Sequence, residues 1–535
     1  MLLNAAVTFH NVWPTPWITT RHELSIEVAV ALLLLAAYSE VFRPPRRIFI
    51  AGLTLITLAM FIGRYAEVTA PALYGRPVNV YWDAQHLPKV AAMLARAASP
   101  WVLAAATVGL VGLLAALTAA LYWCWAQVAR GVSASAPRRM LGAVAAVVVG
   151  VYVLSSALNW PLRYRYSVPV SATYGQQAAF LFNALTESEQ ELPIEPLAQT
   201  DLERVRGADV LLMFLESYGA VAYDDAAISQ IIAPARVALD AAAAATGRQV
   251  VSAFVESPTF GGGSWLAHST LMSGTEVTDP GSYDLLLTQD RETLPKLFAA
   301  GGYRAIAWMP GLRKAWPEGD FYGFDAIYGE REIDYRGPDF GWWRIPDQYA
   351  LAKLDATELQ PVARAPLFAF LPTINTHMPF RPTPPLQPVW PRLLTDDPYD
   401  AAATAASLAT ESEWAHLGTA YAESVAYTFS YLASYMLERP SADFVLVLIG
   451  DHQPPSSVSG QGSRWDVPVH VITARGDIIE ALRAAGFTQG LDIDSSTPPL
   501  SRMPALTATV LRALDSGGDP PSPISGYSPQ ETLSD

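Results

Sequence analysis

A single cysteine, Cys124, occurs in the 535 residues, and it lies inside a long apolar run. No disulfide can therefore brace the chain, and each folded part must be held by its own core. Basic residues are also short: 35 Lys and Arg face 50 Asp and Glu, for a formal net charge of −15. That balance lacks the basic face a nucleic-acid partner requires, and none is expected. The first twenty residues have neither the basic start nor the apolar core of a cleavable signal. No internal repeat is present.

What the chain has in excess is apolar sequence, 51% of its residues, concentrated near the N-terminus. Four long runs stand out: Leu24 to Phe42, Ile48 to Arg64, Trp101 to Trp125 and Leu141 to Trp160. Each approaches the ~20 residues that cross a bilayer as a helix. The first carries Glu27 and Glu40 toward its ends, whereas the third holds no charge at all, which argues against a buried core helix. Residues 1–160 are thus expected to form a membrane domain of about four spans. Arg43, Arg46 and Arg47 fill one short link, and Arg130, Arg138 and Arg139 another, so both links read as cytoplasmic. The N-terminus and everything after Trp160 then lie on the periplasmic or extracellular side of the cytoplasmic membrane.

Residues 161–207 read as a linker at the membrane surface, with an amphipathic piece near Gln176 to Leu185. From Ala208 the pattern changes to short apolar strands alternating with helical stretches, which indicates a doubly wound α/β domain with a mostly parallel sheet over 208–514. The strand candidates are Val210 to Leu215, Val250 to Val255, Arg304 to Trp308, Leu367 to Thr373, Phe444 to Ile449 and Val467 to Ile472. Helices are expected at Ile228 to Ala245, Leu294 to Ala300, Glu413 to Glu438, Ile478 to Ala485 and Met503 to Leu514. The proline-rich stretch Arg381 to Asp400 reads as a surface loop and residues 515–535 as a disordered tail.

Open α/β sheets collect ligands at the carboxyl ends of their strands. There the first strand presents Glu216 (LMFLESYG), the second leads into ESPTFGGGSWLAHSTLMSG with Ser264 at the glycine-rich turn, the fourth presents His377 (PTINTHMPF), and the fifth presents Asp451 and His452 (LIGDHQPP). Each has an ordinary alternative. Ser264 could simply cap the helix that follows, Glu216 could cap another, Gly450-Asp451 could be a plain turn, and His377 could be a packed or surface histidine. Together, Glu216, Asp451, His452 and Ser264 make a four-ligand set of hard oxygens plus one nitrogen, which suits Mn²⁺, Zn²⁺ or Mg²⁺. A cation there would lower the serine pKa and stabilise charge on a phosphoryl oxygen.

The ordered motifs FLES, GGGS with LMSG ten residues beyond the serine, NTHMPF and GDHQP resemble the sulfatase and alkaline phosphatase superfamily. The similarity is greatest to its membrane-anchored lipoteichoic acid synthase and phosphoglycerol transferase branch. It implies a sulfatase-like catalytic domain behind several spans. It also implies that Glu216, Ser264, Asp451 and His452 bind one divalent metal, Mn²⁺ first, that Ser264 attacks phosphorus, and that His377 contacts the phosphoryl group or protonates the leaving group. Arg313 and Trp316, in WMPGLRKAWPEGDFYGFD, are the implied head-group contacts, and His268 stands where sulfatases carry an arginine. Three departures narrow the reading. The branch usually has threonine where this chain has Ser264. The Cys/Ser-x-Pro-x-Arg motif of true sulfatases is not matched by GSWLAHS. The disulfides general among the phosphoethanolamine transferases cannot form.

The expected activity is a phosphotransferase that takes a phosphoglycerol head group from a phospholipid donor and gives it to an envelope glycan through a phospho-serine. A metal-dependent hydrolase is the first alternative, a phosphoethanolamine transferase a further one, and a membrane-bound scaffold the reading from another class.

Overall fold

The computed structural model describes residues 1–517 except 13–14, 43–44, 75–77, 82, 85–98, 159, 161, 163–164, 187–191, 193–196, 342–343, 362 and 411–415. Arg43 and most of the expected tail therefore fall outside the described residues. The chain divides into two compact units, Met1–Gln190 and Glu191–Asp535. The division falls inside the stretch read as a linker.

In the first unit each of the four apolar runs is helical: α1 (Ile26–Val41), α2 (Arg47–Tyr74), α3 (Pro100–Gly131) and α4 (Ser135–Ala157). The last three are long and apolar enough to cross a membrane. Helix α1 has 16 residues, bounded at its start by Ser25, whose hydroxyl accepts the Val28 N–H. Glu40 near its end is explained by Arg138 of α4, whose guanidinium donates to it at 2.6 Å. Leu35, Leu53, Leu121 and Trp125 form the interior of this unit, and the Trp125 indole donates to the Thr57 hydroxyl at 3.0 Å. Val108, Leu110, Val111 and Leu113 of α3 stay exposed, as lipid-facing positions would. A further helix, α5 (Val170–Thr186), covers the expected amphipathic piece.

The second unit is built on an eight-stranded sheet. Its strands are β1 (Asp209–Leu215), β2 (Gln249–Glu256), β3 (Arg304–Trp308), β4 (Ala326–Tyr328), β5 (Leu367–Pro372), β6 (Phe444–Gly450), β7 (Asp466–Thr473) and β8 (Thr488–Gln489). The spatial order is β8-β2-β7-β6-β1-β5-β3-β4. Strands β6, β1, β5, β3 and β4 run parallel. β7 is antiparallel to both β6 and β2, so β2 regains the direction of β6 and delivers its carboxyl end to the same rim. β8 is antiparallel to β2. All six expected strands are present, and the two additional ones, β4 and β8, are too short to carry a periodic signal.

Side chains along β1 alternate between two cores. Leu211, Met213 and Leu215 face α6 (Ala226–Ala245) and α8 (Leu417–Glu438), while Val210, Leu212 and Phe214 face α7 (Ser264–Ser273), α9 (Gly476–Ala484) and α10 (Met503–Leu514). Helix α6 is long and apolar enough to cross a membrane, but it packs Ile228, Ile232, Leu239 and Ala243 into the first of these cores. The stretch 381–400 departs from a plain surface loop: Gln387, Trp390, Leu393 and Tyr399 are buried in it. Gln387 is held because its backbone N–H donates to the Gln348 side chain at 3.0 Å.

Candidate active site

The rim is assembled by strand register. Leu215 of β1 lies opposite Gly450 of β6, so the next residues, Glu216 and Asp451, emerge side by side. The two chains cross so closely that a Cβ on Gly450 would lie 1.8 Å from the Tyr218 carbonyl oxygen; only glycine fits there. Ser217 adopts a left-handed backbone, φ 57°, and its N–H donates to Asp451 Oδ1 at 2.8 Å. The Glu216 N–H donates to the Thr373 hydroxyl at the end of β5 at 3.1 Å.

Ser264 is brought to the same rim by a loop in which Gly261, Gly262 and Gly263 all have positive φ, at 67°, 145° and 80°. The Thr259 hydroxyl donates to the Gly262 carbonyl at 2.6 Å, and the Gly261 N–H donates to the Gln453 carbonyl at 3.1 Å. Gly263, not Ser264, occupies the cap position of α7. The serine side chain is therefore released from capping, and its hydroxyl donates to Glu216 Oε2 at 2.9 Å and lies 3.2 Å from His452 Nε2. The amino end of α7 adds its positive dipole at this point, which suits a phosphate.

Ligating atoms of Glu216, Asp451 and His452 all lie within 4.8 Å of one another. His452 Nδ1 is 2.8 Å from the Gln453 carbonyl, which assigns the proton to Nδ1 and turns Nε2 toward the carboxylates. Asp451 is fully buried, yet its Oδ2 has no hydrogen-bond partner. His452 Nε2 stands 3.6 Å from it, beyond hydrogen-bonding distance, and a buried carboxylate oxygen left without a hydrogen bond beside a second carboxylate is costly. The electrostatics agree. Burial and the neighbouring Glu216 charge push Asp451 up to about 8. Burial alone would raise Glu216, but the hydrogen bond and charge of His452 hold it well below the usual carboxylate range. His452, which burial would pull down, is lifted to about 9 by Asp451 and Glu216. The donor set, carboxylate and hydroxyl oxygens plus one imidazole nitrogen, fits a divalent metal.

The remaining expected residues differ in their surroundings. His377 follows β5 with its Nδ1 2.7 Å from the Met378 carbonyl, and its charge acts on Glu216. His268, one turn beyond Ser264, packs its ring against Phe214 and Phe370 at 4.5 and 5.2 Å. Burial pulls it down to about 3, so it is neutral, and its Nε2 is buried without a hydrogen-bond partner. Arg313 donates to Glu330 at 2.9 Å, and Trp316 stacks on Tyr322 at 5.5 Å. Sequence reading missed Asp347, a buried carboxylate that accepts the Ile374 and Asn375 N–H groups. A lone aspartate after a proline at a helix start gives no sequence signal of such burial.

No family model matches this chain, and no curated protein matches it. Among solved structures it is similar to the integral membrane lipooligosaccharide phosphoethanolamine transferase A of Neisseria meningitidis, with 14% identity, 91% of this chain and 95% of that one covered, and a TM-score of 0.47. It is also similar to the phosphoglycerol transferase GacH of Streptococcus pyogenes in complex with sn-glycerol-1-phosphate, with 14% identity, 65% and 87% covered, and a TM-score of 0.36. A protein in the alkaline phosphatase superfamily from Vibrio parahaemolyticus matches with 14% identity, 63% and 75% covered, and a TM-score of 0.37.

Proposed function

We propose that this protein is a membrane-anchored, metal-dependent phosphotransferase of the sulfatase-like kind. It moves a phosphoglycerol-type head group from a phospholipid to an envelope glycan, with its catalytic unit on the periplasmic or extracellular side. The observation that carries this reading is the Ser264 hydroxyl, hydrogen-bonded to Glu216 and within reach of His452, at a helix amino terminus in a cluster where Asp451 Oδ2 is buried without a hydrogen bond.

Glu216, Asp451, His452 and the Ser264 oxygen would hold the ion, with Mn²⁺ first and Zn²⁺ or Mg²⁺ also compatible with the donor set. When bound, the ion lowers the pKa of the hydroxyl and takes up negative charge developing on the phosphoryl oxygens. Ser264 Oγ has its proton directed at Glu216 Oε2, the nearest base. Its attack forms the Oγ–P bond while the P–O bond to diacylglycerol breaks, and the departing oxygen takes a proton from His377 Nε2. In the second half the acceptor hydroxyl gives its proton to His377 as it displaces Ser264, whose oxygen recovers from Glu216 the proton it gave up in the first half. His268 Nε2, Arg313 and Trp316 are the candidate contacts to the phosphoryl and head group. Apolar helices that hold the site at a lipid surface raise the effective concentration of a lipid donor.

The test supplies the purified full-length protein with phospholipids labelled in the head group, glycerol in one arm and ethanolamine in the other, together with envelope glycans. Label is expected on Ser264 and then on glycan from the glycerol arm. Label recovered only as free glycerol phosphate would replace transfer by hydrolysis.

A further inference from the structure

The turn that carries His377 is gripped by a carboxylate from another element. Asp347 begins the helix Asp347–Leu354 and is 4% exposed. Its Oδ1 accepts the Ile374 N–H and its Oδ2 the Asn375 N–H, both at 2.9 Å. Asn375 returns the contact, its Oδ1 accepting the Asp347 N–H at 2.8 Å. From the opposite side the Ser424 hydroxyl of α8 donates to the Asn375 carbonyl at 2.7 Å. The His377 N–H then closes on the Ile374 carbonyl at 3.1 Å. Residues 374 and 375 cannot rotate without breaking several of these bonds, and they lie between Thr373, which anchors Glu216, and His377.

We propose that Asp347 is a positioning residue for His377, fixing where the imidazole meets the leaving group. The inference rests on the reading above that His377 Nε2 gives its proton to the departing oxygen. Its chemistry demands a carboxylate: two backbone N–H groups need two acceptor oxygens, whereas an asparagine would turn an NH₂ toward one of them. Burial raises the Asp347 carboxyl to about 7, so the residue is held at an energetic cost, as expected of a group retained for geometry.

The test uses full-length, metal-loaded protein with two phosphodiesters, one releasing p-nitrophenol, which leaves without a proton, and one releasing an alkyl alcohol, which needs it. D347N is expected to lose at least about tenfold more activity on the alkyl ester than on the nitrophenyl ester, in the same sense as H377A. The D347N/H377A double variant should be no worse than H377A alone. N375A, which keeps the carboxylate but removes the return contact, should show the same split in smaller measure should D347N not fold. Equal losses on both esters in D347N and N375A, with the split intact in H377A, would overturn the positioning role alone. An H377A variant without any split would overturn the proton-donor reading and this inference with it.

Discussion

The Ser264 hydroxyl donates to Glu216 Oε2 across 2.9 Å, joining the first turn of a helix to the end of a strand 48 residues earlier. Ser264 is free of capping because Gly263 takes that position, and Glu216 offers it Oε2 while its Oε1 accepts the Ser217 hydroxyl at 3.0 Å. The contact sets the hydroxyl of Ser264 against a carboxylate of the rim.

Ser264→Ala removes the nucleophile and leaves the other three ligands. Head-group release should fall by about 10³-fold or more, since no other group on the rim forms the same ester. Divalent metal, measured by elemental analysis, should be retained in part. Activity equal to wild type would remove the mechanism.

Asp451→Asn exchanges a carboxylate oxygen that lacks a hydrogen-bond partner for an NH₂ that repels a cation. Metal affinity should drop by about 100-fold or more, beyond the effect of losing an outer-shell contact. Chelation of the wild type should abolish turnover, and added Mn²⁺, Zn²⁺ or Mg²⁺ should restore it. Titration of the variant with the same ions checks the claim, and unchanged affinity would contradict it.

Gly450→Ala puts a methyl group 1.8 Å from the Tyr218 carbonyl oxygen, a backbone atom that cannot swing aside. The strand crossing must open, at a cost of about 3 kcal/mol or more. Thermal unfolding should show a lower midpoint together with lost metal, because the same crossing aligns Glu216 with Asp451. A variant as stable as wild type would show that the crossing opens without cost.

His470 supplies a pH dependence away from the catalytic rim. It is fully buried between the Ser252 hydroxyl, 2.6 Å from Nδ1, and the Tyr218 hydroxyl, 3.1 Å from Nε2. Burial, reinforced by the charge of Arg236, pulls it down to about 3. Its folded pKa lies below the unfolded value of about 6.5, so the unfolded chain binds the extra proton. Stability is complete above about 6.5 and is lost as the pH falls toward 3, at up to about 1.4 kcal/mol per pH unit from this group. His470→Gln should flatten that part of the profile in denaturant unfolding, whatever its effect at neutral pH. An identical slope in the variant would exclude His470 as its source.

The sequence by itself determined which residues could do chemistry and which segments could form strands and apolar helices. These are local properties: the alternation along Val210 to Leu215, the glycines before Ser264, and the uncharged run from Trp101 to Trp125 each act through neighbours in the chain. Only the tertiary structure decided how those pieces meet. The pairing of Leu215 with Gly450, the reversal of β7 that returns β2 to the common rim, the burial that leaves Asp451 Oδ2 unpaired, and the grip of Asp347 on the turn before His377 all join residues far apart in sequence. Long-range register and burial follow from packing the whole core, and no window of sequence contains them.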